Sequence, residues 1–175
     1  MDRPITRRGA ISAGFAGLLA CGLAGPALAD APKTLAFLGV QFLNDHATLE
    51  PTSAAERARV AALGKAFKAM LEASGRYKFV AVSAEAKAKI SNGPVVGSCG
   101  GCAYQYGRQL GGQWVAWLVV QKVSDLILNI NVYMGDVATQ KLTFVHSVDI
   151  RGNTDETWAR GINYLVKNYL LNGAH

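Results

Sequence analysis

The chain has 175 residues, half of them apolar and 17% charged, with a net charge of +6. That is one domain's worth of sequence with apolar residues enough for a core, which excludes a disordered or low-complexity chain. The basic residues are dispersed, without a Lys/Arg cluster interleaved with aromatics, so a nucleic-acid partner is excluded as a reading.

The first residues carry an address. Arg3, Arg7 and Arg8 form a basic start, and a run of apolar and small residues follows from Ala10 to about Gly25. Pro26 breaks the run, and Ala27-Leu28-Ala29 places small residues at both specificity positions of a signal-peptidase site, so cleavage is expected after Ala29. The run is too short and too rich in Gly and Ala for a membrane span. Thr6-Arg7-Arg8-Gly9-Ala10-Ile11 reads as a twin-arginine export signal, with an ordinary secretory signal as the alternative. Leu18-Leu19-Ala20-Cys21 partly matches a lipobox, so a lipoprotein anchored at Cys21 is the alternative processing. Residues 1–29 are thus expected to be a signal peptide and 30–175 a single periplasmic α/β domain. The signal holds three of the 18 basic and one of the 12 acidic residues, leaving 15 basic and 11 acidic, or +4.

Thr34 to Leu43 is apolar on both faces, as a strand covered on both sides would be. Ser53 and Glu56 form a capping box. The helix that follows puts Val60, Leu63, Phe67, Met70, Leu71 and Ser74 on one face and is stopped by Gly75. Tyr77 to Val82 is a second strand, and the strand–helix–strand order implies a parallel crossover. A short helical piece at Ala84 to Ile90 and a loop at Asn92 to Ser98 follow. Cys99-Gly-Gly-Cys102 opens a helix ending near Gly111-Gly112, and Gln113 to Gln121 is a third two-faced strand. Beyond a turn at Val123-Ser124-Asp125, Leu126 to Met134 and Leu142 to Ile150 alternate as strands with one buried face. They are joined by a hairpin loop, Asp136 to Lys141. A last helix starts within Asn153 to Thr157 and presents Trp158, Ile162, Leu165, Val166 and Tyr169. The expected fold is α/β, a two-layer or three-layer sandwich on a mixed five-stranded sheet in the order β-α-β-α-β-β-β-α. Three parallel strands are expected at the centre, with two antiparallel strands added at one edge. A polar strip of Asn129, Asn131, Thr143, Ser147 and Asp149 is expected to face solvent or a partner.

The opening strand with its terminal Asp, the Gly75-Arg-Tyr-Lys-Phe-Val80 phrase, Leu110-Gly111 before a two-faced strand, and the strand–Asp136-x-x-Thr139–strand–helix close resemble the N-terminal domain of TolB and the related CsgG-like lipoprotein domain over residues 33–171. In those domains the hairpin loop reads Asp-x-x-Thr-Gly; Gln140 stands here in the Gly position. Lys122-Val123-Ser124, Ile150-Arg151-Gly152-Asn153 with Trp158, and the paired cysteines resemble an exported bacterial family of unknown function. That resemblance implies a genomic association with quinoprotein alcohol dehydrogenase or methylotrophy genes. The TolB-type resemblance implies contact with other envelope proteins rather than enzyme chemistry.

Cys99 and Cys102 are the two cysteines of the exported part. In an oxidising compartment a disulfide is the default. The alternatives are a redox-active thiol at a helix N-terminus, where the dipole favours the thiolate, and a soft-metal site. Ala103 stands where C-x-x-C-H needs its histidine, which argues against covalent haem. Asp45 and His46 follow the first strand at the carboxyl edge of the sheet, where open α/β sheets bind ligands, and form the candidate recognition surface. With Cys99 and Cys102 they could converge on zinc or copper, against the plainer reading of a polar loop cap. His146 is expected as a core histidine and Trp114, Trp117 and Trp158 as core. No Ser-His-Asp arrangement, P-loop or dinucleotide fingerprint occurs, and no cofactor is implied. The expected function is a non-catalytic periplasmic accessory domain that binds an envelope protein and supports a quinoprotein dehydrogenase system. The alternative is a C-x-x-C thiol-redox or metal-binding protein.

Overall fold

The structure, a computed structural model, describes residues 31–173; the expected export signal, Cys21 and His175 lie outside these. Five strands form one sheet: β1 (Lys33–Asn44), β2 (Tyr77–Phe79), β3 (Trp114–Lys122), β4 (Ile127–Asp136) and β5 (Lys141–Arg151). Four α-helices accompany them: α1 (Ala54–Ala73), α2 (Ala84–Asn92), α3 (Cys102–Gln109) and α4 (Asp155–Leu165). α4 runs on into a π-helical turn, Val166–Leu170. The spatial order is β2-β1-β3-β4-β5. β1 pairs in parallel with β2 and β3, and β3-β4-β5 is an antiparallel meander. The mixed α/β sheet is therefore the expected one, but the parallel trio is not its centre: β3 is the middle strand, and β2 is an edge of three residues. β2 stops at Phe79, three residues short of the expected Val82, because only the first residues of β1 pair with it and Ser83 is already the N-cap of α2.

The two-faced pattern of β1 hides an inserted residue. Phe37 pairs with Ala116 but Val40 with Leu118, and Gly39 takes φ +100° at this irregularity. A bulge adds one residue and so reverses which side chains point which way. Leu35 and Phe37 pack on one face before it, and Val40 and Phe42 pack on that same face after it.

That face carries the main core. α1 buries Leu63, Phe67 and Leu71, and α4 buries Trp158, Ile162 and Leu165, against Leu118, Val120, Ile130 and Val132 of the sheet. The capping box starts α1 as read from the sequence: Ser53 Oγ accepts from Glu56 N (3.1 Å), and Glu56 Oε2 accepts from Ser53 N (2.7 Å). α4 lies close to the sheet because Gly161 has no side chain; a Cβ there would come within 2.6 Å of Ile150 Cγ2 and 3.0 Å of Ile130 Cδ1. The other face is covered mainly over β1 and β3, by Ile90 of α2, Val96 and Ala103, packed on Ala36, Leu38, Val115 and Trp117, with Tyr104 of α3 against Gly135 of β4. There Trp117 stacks on Tyr133 at 5.2 Å. The layer thins beyond that point. Asn129 and Asn131 are half-buried and Thr143, Ser147 and Asp149 exposed, so the expected polar strip is the open part of this face.

Trp117 and Trp158 are core residues as expected; Trp114 is only partly buried, with Lys33 Nζ over its ring at 4.5 Å. His146 is half-buried and stacks on Tyr169 at 3.6 Å. In the β4–β5 loop, Gln140 takes φ +56°, the left-handed region that favours glycine. Asp136 Oδ1 fixes the turn by accepting from Thr139 N (2.7 Å) and Thr139 Oγ1 (3.0 Å). Gly161→Ala is expected to overpack the α4–sheet contact and destabilise the fold by about 1–3 kcal/mol, seen as a lower urea midpoint with an unchanged slope.

Candidate functional site

The carboxyl ends of β1 and β3, the N-termini of α1 and α4, and the β3–β4 turn meet at one end of the sheet. Lys122 is the last residue of β3, and its ammonium is buried there, with the residue only 4% exposed. It is bound by three carboxylates: Asp125 Oδ1 at 2.8 Å, Glu56 Oε1 at 3.0 Å and Glu50 Oε2 at 3.5 Å. Glu56 is as buried as Lys122, while Glu50 and Asp125 reach solvent. Asn153, in the β5–α4 connection, closes the network. Its Nδ2 donates to Glu56 Oε1 (2.8 Å) and Asp125 Oδ1 (3.2 Å), and its Oδ1 accepts from Trp158 Nε1 (3.0 Å) and Arg59 (3.2 Å). Arg59 in turn pairs with Asp155 at 2.7 Å.

This arrangement fixes the charge states. Burial pushes the Glu56 carboxyl up, but donation from Ser53 N, Lys122 and Asn153 outweighs it and holds the carboxyl at about 2, against an ordinary 4.5. The hydrogen bond to Asp125 raises Lys122 above the usual lysine range; burial opposes this and Glu56 reinforces it. Asp125 is lowered by donation from Lys122 and Asn153. The lysine is a locked cation, neither a free base nor a nucleophile at neutral pH, because its ammonium faces three carboxylates.

Asp45 and His46 lie at this same end. Asp45 N donates to Lys122 O (3.1 Å), continuing the β1–β3 pairing, and Asp45 Oδ2 accepts from Gln121 Nε2 (3.3 Å). The loop from Asp45 to Glu50 is closed on itself. Asn44 Oδ1 accepts from His46 N (3.0 Å), Asn44 Nδ2 donates to Glu50 O (2.6 Å), and His46 O accepts from Leu49 N and Glu50 N. The Cys loop is tied elsewhere: Val96 N donates to Gln41 Oε1 (2.7 Å), and Gly97 lies against Trp117. Cys99 and Cys102 are paired with each other, Cα atoms 5.6 Å apart, at the start of α3. No group of three or more His, Cys, Asp or Glu side chains able to hold a metal occurs among the described residues. The structure thus pairs the cysteines and does not gather them with Asp45 and His46.

The sequence reading found the Ser53–Glu56 box and the phrases containing Lys122 and Asn153, and missed that they meet. The available signal was a charged residue, Lys122, directly continuing an apolar two-faced strand.

A family model described as DUF3280, protein of unknown function (DUF2380), matches residues 33–170. No curated protein matches the chain. Among solved structures, lipoprotein GNA1162 from Neisseria meningitidis is 14% identical with a TM-score of 0.52, over 82% of this chain and 100% of that one. The LpoB C-terminal domain from Salmonella enterica is 16% identical, TM-score 0.46, over 69% of this chain and 84% of that one. TolB from Acinetobacter baumannii is 14% identical, TM-score 0.39, over 79% of this chain and 29% of that one. At 14% identity the likeness to GNA1162 is one of fold. No helix among the described residues is long and apolar enough to cross a membrane.

Lys122→Met strands the buried Glu56 carboxylate and is expected to cost about 3–5 kcal/mol, much of it recovered in the Lys122→Met/Glu56→Gln double variant. The depressed Glu56 value implies stability that is fully present above its unfolded value of 4.5 and lost as pH falls toward about 2. That contribution is on the order of 3 kcal/mol. Urea titrations across this range should show the acid loss in the parent and a smaller one in Glu56→Gln.

Proposed function

We propose, from the premise that the chain belongs to the DUF3280 family of proteins of unknown function, that it is an exported, non-catalytic domain that binds another protein of the cell envelope. The recognition surface is the loop edge around Asp45, His46, Glu50 and Asp125. One observation carries this reading: a buried lysine uses its charge to hold exposed loops in place, an arrangement that preorganises a surface and leaves Lys122 itself neither a free base nor a nucleophile. The lipoprotein in the name of GNA1162 supports an envelope setting. A periplasmic quinoprotein dehydrogenase is the first partner to test.

Export after cleavage at Ala29, by the twin-arginine route, belongs to the same proposal. Periplasmic material should have an intact mass starting at Asp30, lighter by two hydrogens than the same chain after reduction. A start at Cys21 with added acyl mass would replace periplasmic release with a lipid anchor. Changing Arg7 and Arg8 to Lys should block export if the twin-arginine route is used.

The thiol-redox alternative makes a different forecast. Purified protein should not reduce insulin or oxidise peptide thiols; turnover of thioredoxin-like size, abolished in Cys102→Ser, would end the non-catalytic reading.

A further inference from the structure

Seven large apolar residues are well exposed among the described residues, and four of them gather at the lysine end: Leu49 at 82%, Leu126 at 73%, Ile127 at 43% and Val123 at 40%. They come from two loops far apart in sequence. Leu49 precedes Glu50, and Val123 and Leu126 flank Asp125, so the two salt bridges of Lys122 hold these loops side by side. The β3–β4 turn is further fixed by Ser124 Oγ, which accepts from Leu126 N (3.3 Å) and Ile127 N (3.2 Å), and by Gly152 N donating to Leu126 O. Exposed leucines on clamped loops are costly in water and lose little freedom on binding.

We infer that Leu49, Val123 and Leu126 form an apolar docking tip for an envelope protein that presents an apolar socket with a basic rim, and that Lys122 is the positioning residue that assembles the tip. This rests on the interaction reading above and names its contact. The rim sets the chemistry of the partner. Lys122 itself is covered, while Glu50 and Asp125 are 61% and 68% exposed and Asp45 is exposed beside them. Among the cations nearby, Arg59 is held by Asp155 and Asn153, and Arg57 donates to Thr52 O; Arg151, exposed, lies opposite Ile127 at the flank. The tip is therefore apolar with an acidic border on a chain of net positive charge. Such a border is repelled by an anionic lipid surface and attracted by a basic protein rim.

The test places the photo-crosslinker p-benzoylphenylalanine in the full chain, in producing cells, at Leu49, Leu126, Val145 on the bare sheet face, or Lys87 on α2. Leu49 and Leu126 should give the same discrete adduct with another protein, absent from Lys87. With that protein purified, affinity should fall with rising salt. It should also fall at least about tenfold in Leu126→Glu, with the thermal midpoint unchanged. Glu50→Gln, which loosens the clamp without stranding a buried charge, should weaken binding as well. Adducts from Val145 alone would reject the tip and leave the interaction reading standing; adducts from none of the positions would reject both. An adduct of twice the chain mass would overturn the inference in favour of a second copy. Flotation with phosphatidylethanolamine–phosphatidylglycerol vesicles, lost in Leu126→Glu, would overturn it in favour of a membrane.

Discussion

The Lys122 ammonium is the point at which four otherwise separate pieces of chain are joined. β3 supplies the lysine, α1 supplies Glu56, the β1–α1 loop supplies Glu50 and the β3–β4 turn supplies Asp125. Asn153 adds the entrance to α4 through the same Glu56 oxygen. Burying an ion pair is a poor way to gain stability, since desolvation consumes most of the attraction and an apolar pair of the same volume does as well. What the network provides is a unique arrangement: each of the three carboxylates accepts from a named donor, and displacing one loop loosens its contact with Lys122.

The two faces of the sheet divide the work. α1 and α4 seal one face along its length, with Gly161 allowing the close approach of α4. The second layer thins beyond β3, where Trp117 is stacked on Tyr133 and its Nε1 has no hydrogen-bond partner among the described residues. The Cys99–Cys102 pair belongs to this partial layer. It closes a very small ring, so by the chain-entropy argument it contributes roughly 2 kcal/mol; its place is to shape the entry to α3, on the face of the sheet opposite α1 and α4. The fold thus carries a stapled loop on one face of the sheet and a charge-clamped edge at its end.

Much of this was legible in the sequence, because local rules wrote it. The Ser53–Glu56 box, the period of α1, the alternation in β4 and β5 and the Asp136–Thr139 turn are set by residues within a few positions of one another. What escaped has long-range causes. The Gly39 bulge is silent because a strand apolar on both faces looks the same before and after a parity flip. β2 ends early because of how little of β1 it meets. The Lys122–Glu56 contact spans 66 residues and Glu56–Asn153 spans 97, so no local pattern announces them. The π-helical turn after α4 follows a continuous helical pattern with no breaker in it. The edge rule for α/β sheets singles out Asp45 and His46 in the sequence, and the structure adds their neighbours Gln121, Asn44 and Glu50.

The central claim is that one buried lysine holds the loops of the edge as a unit. Amide hydrogen exchange measures this directly, in the parent and in Lys122→Met, under conditions where both remain folded. Residues 45–50, 123–126 and 152–154 should lose protection together in the variant, while α2 keeps its parent rates. Faster exchange confined to 123–126, with the other two segments unchanged, would contradict the account.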